Sequence, residues 1–196
     1  MRVTNEPTVT DGFQAITSLS RALGGGVELT DVGSLLWVVL RQMVPCDTMA
    51  IFMVDEAGGH IAVRYAAGAH AEKLVGIRRP VGAGIAGWAA ANRRSVVNAE
   101  PIFDLAFRVE SSDSAPALRS SVTVPLVDNG TVVAVLVLYS KDLLAFTDEQ
   151  ATVLELLGPR LALSLADAAL PQIAPAPNAD QPRKLRLVLR APTTVD

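Results

Sequence analysis

The sequence predicts an α+β domain built on an antiparallel sheet. Two tight hairpins and the helical patterns flanking them carry that expectation. The first hairpin joins Thr48–Val54 to His60–Ala66 across Asp55-Glu56-Ala57-Gly58-Gly59. The second joins Arg119–Val127 to Thr131–Ser140 across Asp128-Asn129-Gly130, where Asn-Gly tolerates the positive φ of a tight turn. Gaps this short force antiparallel pairing, because a parallel connection needs a dozen or more residues. Half of the 196 residues are hydrophobic, enough for a proper core.

Residues 11–23 (DGFQAITSLSRAL) are expected to form an amphipathic helix through Phe13, Ile16, Leu19 and Leu23, capped by Asp11 and stopped by Gly24-Gly25-Gly26. A second helix is expected from a Thr30 cap. Val32, Leu35, Leu36, Val39, Leu40 and Met43 repeat at helical spacing, and Pro45 marks the end. After the first hairpin comes a glycine-rich start to a short helix, Ala86–Asn92, with Asn92 as its stop, then a short strand at Ser95–Asn98. Residues 99–117 read as loop, with Phe103 and Phe107 embedded. Beyond the second hairpin, Thr147 and Gln150 make a capping box, and Asp148 and Glu149 occupy the first turn, where the helix dipole favours acids. That helix runs through Leu154, Leu157, Leu161 and Leu165 to about Ala169, and Gly158-Pro159 is expected to kink it. Residues 171–182 are a Pro/Ala-rich linker, and residues 183–190 a basic, roughly alternating tail.

The run Val81–Trp88 contains Gly82-x-Gly84-x-x-Gly87, the spacing of a dinucleotide-binding loop. That loop should follow a buried parallel strand of continuous apolar residues. Gly76-Ile77-Arg78-Arg79-Pro80-Val81 stands there instead, and proline cannot donate to a central ladder. Glu100 and Asp104 lie near the distance of a ribose-binding acid, but neither ends a second parallel strand. The run therefore reads as a glycine-rich turn into a short helix, with the backbone N–H groups of Ile85 and Ala86 open to whatever binds.

A net charge of −3 gives no electrostatic case for a nucleic-acid partner. The single cysteine, Cys46, excludes a disulfide framework and a cysteine-rich zinc site; with only His60 and His70 besides, a metal site would rely on carboxylates. The N-terminal residues 1–7 lack the apolar core of a signal peptide, and the apolar runs are too short to span a bilayer, so a cytoplasmic location is expected. No serine sits in a nucleophile elbow, and helix capping explains the Asp148-Glu149 pair, so no catalytic residue is assigned.

Three segments in order make the chain resemble a GAF domain, the small-molecule sensor module of signalling proteins, over roughly residues 30–170. They are Val81–Trp88, Leu118–Leu126, and Val133–Leu136 leading to Phe146-Thr147-Asp148-Glu149-Gln150. The resemblance implies a sheet of five or six antiparallel strands, with terminal helices on one face and short helices and loops covering a ligand pocket on the other. It divides the chain into an N-terminal helix and Gly-rich hinge (1–29), a sensor domain (30–170) and a linker with its tail (171–196). Within the family, covalent bilin attachment needs a cysteine in the pocket-side loop, and residues 68–118 contain none. The free methionine sulfoxide reductases of this fold need paired redox cysteines. Ala66-Ala67 stands where cyclic-nucleotide binders often carry an acid, and their Asn-Lys-Phe-Asp-Glu set is met only by Lys141, Phe146, Asp148 and Glu149, with Ser140 at the asparagine. Haem would need His70, which is expected on a surface loop.

Strand alternation puts Ala50 and Phe52 on one face and Ile51 and Met53 on the other, and sets Ser121 and Thr123 opposite Val122 and Val124. Ala50, Phe52, Ser121 and Thr123 are expected to face the pocket, with Ile85 and Ala86 at its rim. Two alternatives stand beside that. Ser121 and Thr123 are equally well ordinary half-buried strand residues, and Phe103 and Phe107 are either a lid over a ligand or the plug of an empty space. Arg119 either meets an anionic ligand or is solvated at a strand start.

The expected function is a non-enzymatic regulatory sensor that binds a small ligand of unassigned identity. It would dimerise through helices 11–23, 30–43 and 148–169 and control an output domain such as a diguanylate cyclase, a cyclic-di-GMP phosphodiesterase or a histidine kinase, with no nucleic-acid or membrane partner and no metal. The alternatives are a ligand-free interaction scaffold and, from the glycine spacing, a nucleotide-dependent enzyme.

Overall fold

The computed structural model describes residues 28–105 and 117–169. The helix expected over 11–23, Phe107, the linker and the basic tail lie outside the described residues. The elements run α1 (Leu29–Met43), β1 (Thr48–Val54), β2 (His60–Gly68), α2 (Ala71–Leu74), β3 (Arg78–Pro80), α3 (Gly84–Asn92), β4 (Val96–Ala99), a 3-10 turn (Pro101–Phe103), β5 (Ser120–Asp128), β6 (Thr131–Ser140) and α4 (Asp148–Ala169). The six strands form one sheet in the order β3-β2-β1-β6-β5-β4, every neighbouring pair antiparallel. The expected fold class stands.

Side-chain alternation splits the core into two layers. Met49, Ile51, Val122, Val124, Leu126, Ala134, Leu136 and Leu138 point to one face. There they meet Val32, Leu36 and Leu40 of α1 and Leu154, Leu161 and Leu165 of α4. Each such side chain contributes about 1.5–3 kcal/mol when fully buried, so this layer fixes both terminal helices against the sheet. The opposite face packs Ala50, Phe52, Ile61, Val63, Val135, Val137 and Tyr139 under α2 and α3. A β-bulge between Ile51 and Phe52 in the β1–β2 pairing skips Arg64 and returns Val63 and Ile61 to this second layer.

Local signals behave as their chemistry dictates. Asn129 and Gly130 take φ of 45° and 79° in the second hairpin. The capping box forms at α4: Gln150 N–H donates to Thr147 Oγ1 at 3.3 Å, and Thr147 N–H to Gln150 Oε1 at 3.0 Å. α4 runs as one helix with Pro159 inside it. Two expectations are corrected. α1 starts at Leu29 behind Glu28 rather than behind Thr30, whose hydroxyl turns back to the Glu28 carboxylate at 3.3 Å. Asn92 belongs to α3, and Arg93 ends the helix in the left-handed conformation at φ 55°. The rejection of Arg78–Pro80 as a buried parallel strand stands: it is an antiparallel edge strand on β2, a position where proline is tolerated.

Long-range polar contacts lock the layers. Asn98 sits at φ 56° in the β4 irregularity and brackets Phe146, its Nδ2 donating to the carbonyl at 2.7 Å and its Oδ1 accepting the amide at 3.0 Å. This clamp holds the start of α4 against the last strand of the sheet. No helix among the described residues is long and apolar enough to cross a membrane.

Candidate ligand-binding site

The register lays out the face under α3 row by row. Thr48, Tyr139 and Ser121 stand side by side across β1, β6 and β5. Ala50, Val137 and Thr123 form the next row, and Phe52, Val135 and Pro125 the third. The face is hydroxyl-rich at one end and apolar at the other. α3 covers it with Ala86, Ala89 and Ala90, whose small side chains let a helix lie close to a sheet.

Asp104 joins this face to the glycine run. Its side chain is fully buried, and one oxygen, Oδ1, accepts the Ala86 amide at 2.8 Å. The neighbouring Ile85 amide also favours the charge on this carboxylate. The first turn of α3 thus holds an anion belonging to the chain itself, where partial positive charge and unsatisfied N–H groups favour one. Arg79 of β3 closes the corner, its Nε and Nη2 donating to the Asp104 backbone carbonyl at 3.0 and 2.7 Å. The glycines permit the approach. A Cβ on Gly84, at φ 67°, would stand 2.6 Å from the Phe103 carbonyl oxygen and 2.9 Å from Asp104 Oδ1, and one on Gly87 would stand 2.6 Å from the Pro80 carbonyl oxygen.

Four buried polar atoms on or beside this face have no hydrogen-bond partner: Asp104 Oδ2, Tyr139 Oη, Thr123 Oγ1 and Thr48 Oγ1. Ser121 differs, its hydroxyl donating to the Ala99 carbonyl at 3.1 Å. Burial raises the Tyr139 phenol well above its ordinary value, and the Asp104 charge adds to the rise against the opposing pull of Arg79. Tyr139 therefore stays protonated and available as a donor or acceptor.

Burial also pushes the Asp104 carboxyl above the ordinary carboxylate range, opposed by the Ala86 and Ile85 amides and by Arg79. A carboxyl raised in this way binds more protons folded than unfolded between its two pKa values, so stability falls as pH rises through that window. Lowering the pH from neutrality toward the ordinary aspartate value of about 4 relieves the penalty. Asp104→Asn removes the titration. The stability of the natural chain relative to Asp104→Asn is therefore expected to increase as pH falls across that range, measured by urea unfolding at each pH. The difference cancels the opposite shifts of Asp55 and Glu149, whose carboxyls are held low by hydrogen bonds. A difference that does not change with pH refutes the assignment.

Of the residues expected at a site, Ala50, Phe52, Ser121 and Thr123 lie on this face. The amide of Ala86 is not open to a ligand, because Asp104 Oδ1 accepts it, and the amide of Ile85 stands beside the same carboxylate. Phe103 is 60% exposed on the 3-10 turn, away from the buried layer. His70, expected on a surface loop, is 3% exposed at the start of α2. Arg119 is exposed at the edge of β5. Asp104, Arg79 and Tyr139 were not singled out from sequence as parts of this site. The available signal was an acid set among Ile102, Phe103 and Leu105 soon after a helix start that attracts anions. No group of three or more His, Cys, Asp or Glu among the described residues is placed to hold a metal ion.

A family model of the GAF domain matches residues 30–166. The chain belongs to the GAF family. GAF domains are in general ligand-binding and signalling modules. The GAF domain from a phosphoenolpyruvate-protein phosphotransferase of Coxiella burnetii is 18% identical, with a TM-score of 0.60 over 82% of this chain and 96% of that one. The free methionine-R-sulfoxide reductase of Neisseria meningitidis, in complex with its substrate, is 21% identical, with a TM-score of 0.54 over 82% of this chain and 89% of that one. The GAF-B domain of DevS from Mycobacterium smegmatis is 19% identical, with a TM-score of 0.51 over 69% of this chain and 90% of that one. At these identities the likeness is one of fold. Among curated proteins, none matches the sequence.

Proposed function

We propose that this GAF domain, spanning 30–170 of the chain, is a regulatory sensor that binds a small ligand on the face under α3. The observation that supports it is the set of buried, unpartnered polar atoms on and beside that face: Asp104 Oδ2, Tyr139 Oη, Thr123 Oγ1 and Thr48 Oγ1. Leaving a buried polar atom unsatisfied costs about 1–3 kcal/mol, and a bound molecule that supplies the missing partners recovers it. Thermal shift against nucleotides, amino acids and haem tests the reading. A ligand at tenfold its Kd adds about 1.4 kcal/mol and raises the Tm by about 3–5 °C. A flat response across the panel overturns it.

The same reading makes the domain non-catalytic. Burial, helped by Asp47, pushes the lone Cys46 thiol up to about 12, far from the thiolate that sulfoxide reduction would need. The sulfoxide reductase similarity is then one of fold.

A second observation favours association. Val153, Leu156 and Leu163 of α4 are 37%, 76% and 53% exposed, and their spacing places them on one stripe facing away from the sheet. Pairing of the terminal helices in a homodimer would bury that stripe and couple ligand binding to a cytoplasmic output domain, a diguanylate cyclase, phosphodiesterase or histidine kinase among the candidates. Sedimentation at micromolar protein is expected to show a dimer, and a monomer alone removes this part.

A further inference from the structure

The glycine spacing suggests a cradle for a phosphate or carboxylate, but the folded site has the opposite polarity. The Ala86 amide in the first turn of α3, which would hold an anion, is taken by Asp104, and the Ile85 amide stands beside the same carboxylate. Arg79, the cation beside it, is engaged through Nε and Nη2 by the Asp104 carbonyl. The buried polar residues among those described are Thr48, His70, Asp104, Ser120, Ser121, Thr123, Ser140 and Ser164, with no lysine or arginine. An entering anion would meet the Asp104 charge where the dielectric is low and screening weak.

What remains unpartnered is an acceptor, Asp104 Oδ2, and the hydroxyls of Tyr139, Thr123 and Thr48 in neighbouring rows of the sheet. Asp104 Oδ2 accepts only, when ionised, and the Tyr139 and Thr123 hydroxyls accept as readily as they donate. The Asp104 charge is close enough to raise the Tyr139 phenol further. Beyond this polar end the face continues through Ala50, Val137 and Val135. We infer that the ligand carries an N–H-donating head, a primary amine or an amino-substituted ring, on an apolar body. The head is held by Asp104 Oδ2 with the hydroxyls of Tyr139 and Thr123. This rests on the ligand-binding reading above and specifies its chemistry.

Matched probes test it on the full chain by thermal shift at millimolar concentration. Phenethylamine, isoamylamine and tryptamine carry the head; 3-phenylpropionate, 4-methylpentanoate, indole-3-acetate and AMP carry an anion instead. At least one amine is expected to raise the Tm by about 3 °C or more, while the acids and AMP leave it unchanged. Asp104→Asn is expected to weaken the responding amine at least tenfold, and Tyr139→Phe to weaken it while the variant stays folded. Where Asp104→Asn does not fold, Tyr139→Phe combined with Thr123→Val gives the readout. A response to the acids or AMP without the amines overturns the donor assignment and leaves the ligand-binding reading standing. Amine binding that survives both sets of substitutions overturns the site. Silence from every probe overturns the assignment, and silence from the wider panel as well removes the ligand-binding reading.

Discussion

Phe52→Ala is expected to lower the unfolding free energy by about 3–5 kcal/mol, the range for truncating a buried aromatic in a packed core. Phe52 has no exposed surface, pairs across the sheet with Val135, and belongs to the layer of Ile61, Val63, Leu74 and Ala86. It lies at the apolar end of the face, two rows from Tyr139 and Thr48. The size of the loss decides what Phe52 does. A residue wedged among packed neighbours leaves a cavity when truncated; a residue lining a space already open leaves little new. Urea unfolding reads the difference, and a loss below about 1.5 kcal/mol would make Phe52 a pocket wall rather than core.

Gly84→Val is expected to cost about 3 kcal/mol or more. The left-handed conformation at φ 67° costs an L-residue about 1–2 kcal/mol, more when it is β-branched. The added carbons also strike the Phe103 carbonyl and Asp104 Oδ1. Relieving that clash moves the 3-10 turn away from α3 and breaks the carboxylate–amide contact at Ala86, adding about 1–3 kcal/mol. Gly82→Ala is the control. Gly82 has φ 92°, but nothing lies within 4 Å of its Cβ position, so it bears the backbone term alone. Equal losses in the two variants would mean that the contact between α3 and Asp104 contributes nothing to stability.

Much of the architecture was legible because its causes are local. Alternation along Thr48–Val54 and Arg119–Val127 assigned Ile51, Met53, Val122 and Val124 to one layer and Ala50, Phe52, Ser121 and Thr123 to the other, as found. Asn129-Gly130 and the Thr147–Gln150 box act within four residues of chain and depend on nothing distant. The rejection of a dinucleotide fold followed from hairpin gaps and a misplaced proline, and the antiparallel sheet agrees.

The sequence by itself determined the strand and helix pattern, the two faces of the sheet and the fold class, because period and turn chemistry are written in neighbouring residues. Tertiary structure alone decided what the glycine run serves. The carboxylate that satisfies Ala86 comes from 18 residues away, and the Arg79 that holds its backbone from 25. It also decided that His70 is buried and that Arg78–Pro80 pairs at the sheet edge. Unsatisfied amides at a helix start announce that an anion belongs there; which carboxylate fills the place depends on a chain path that no local spacing encodes.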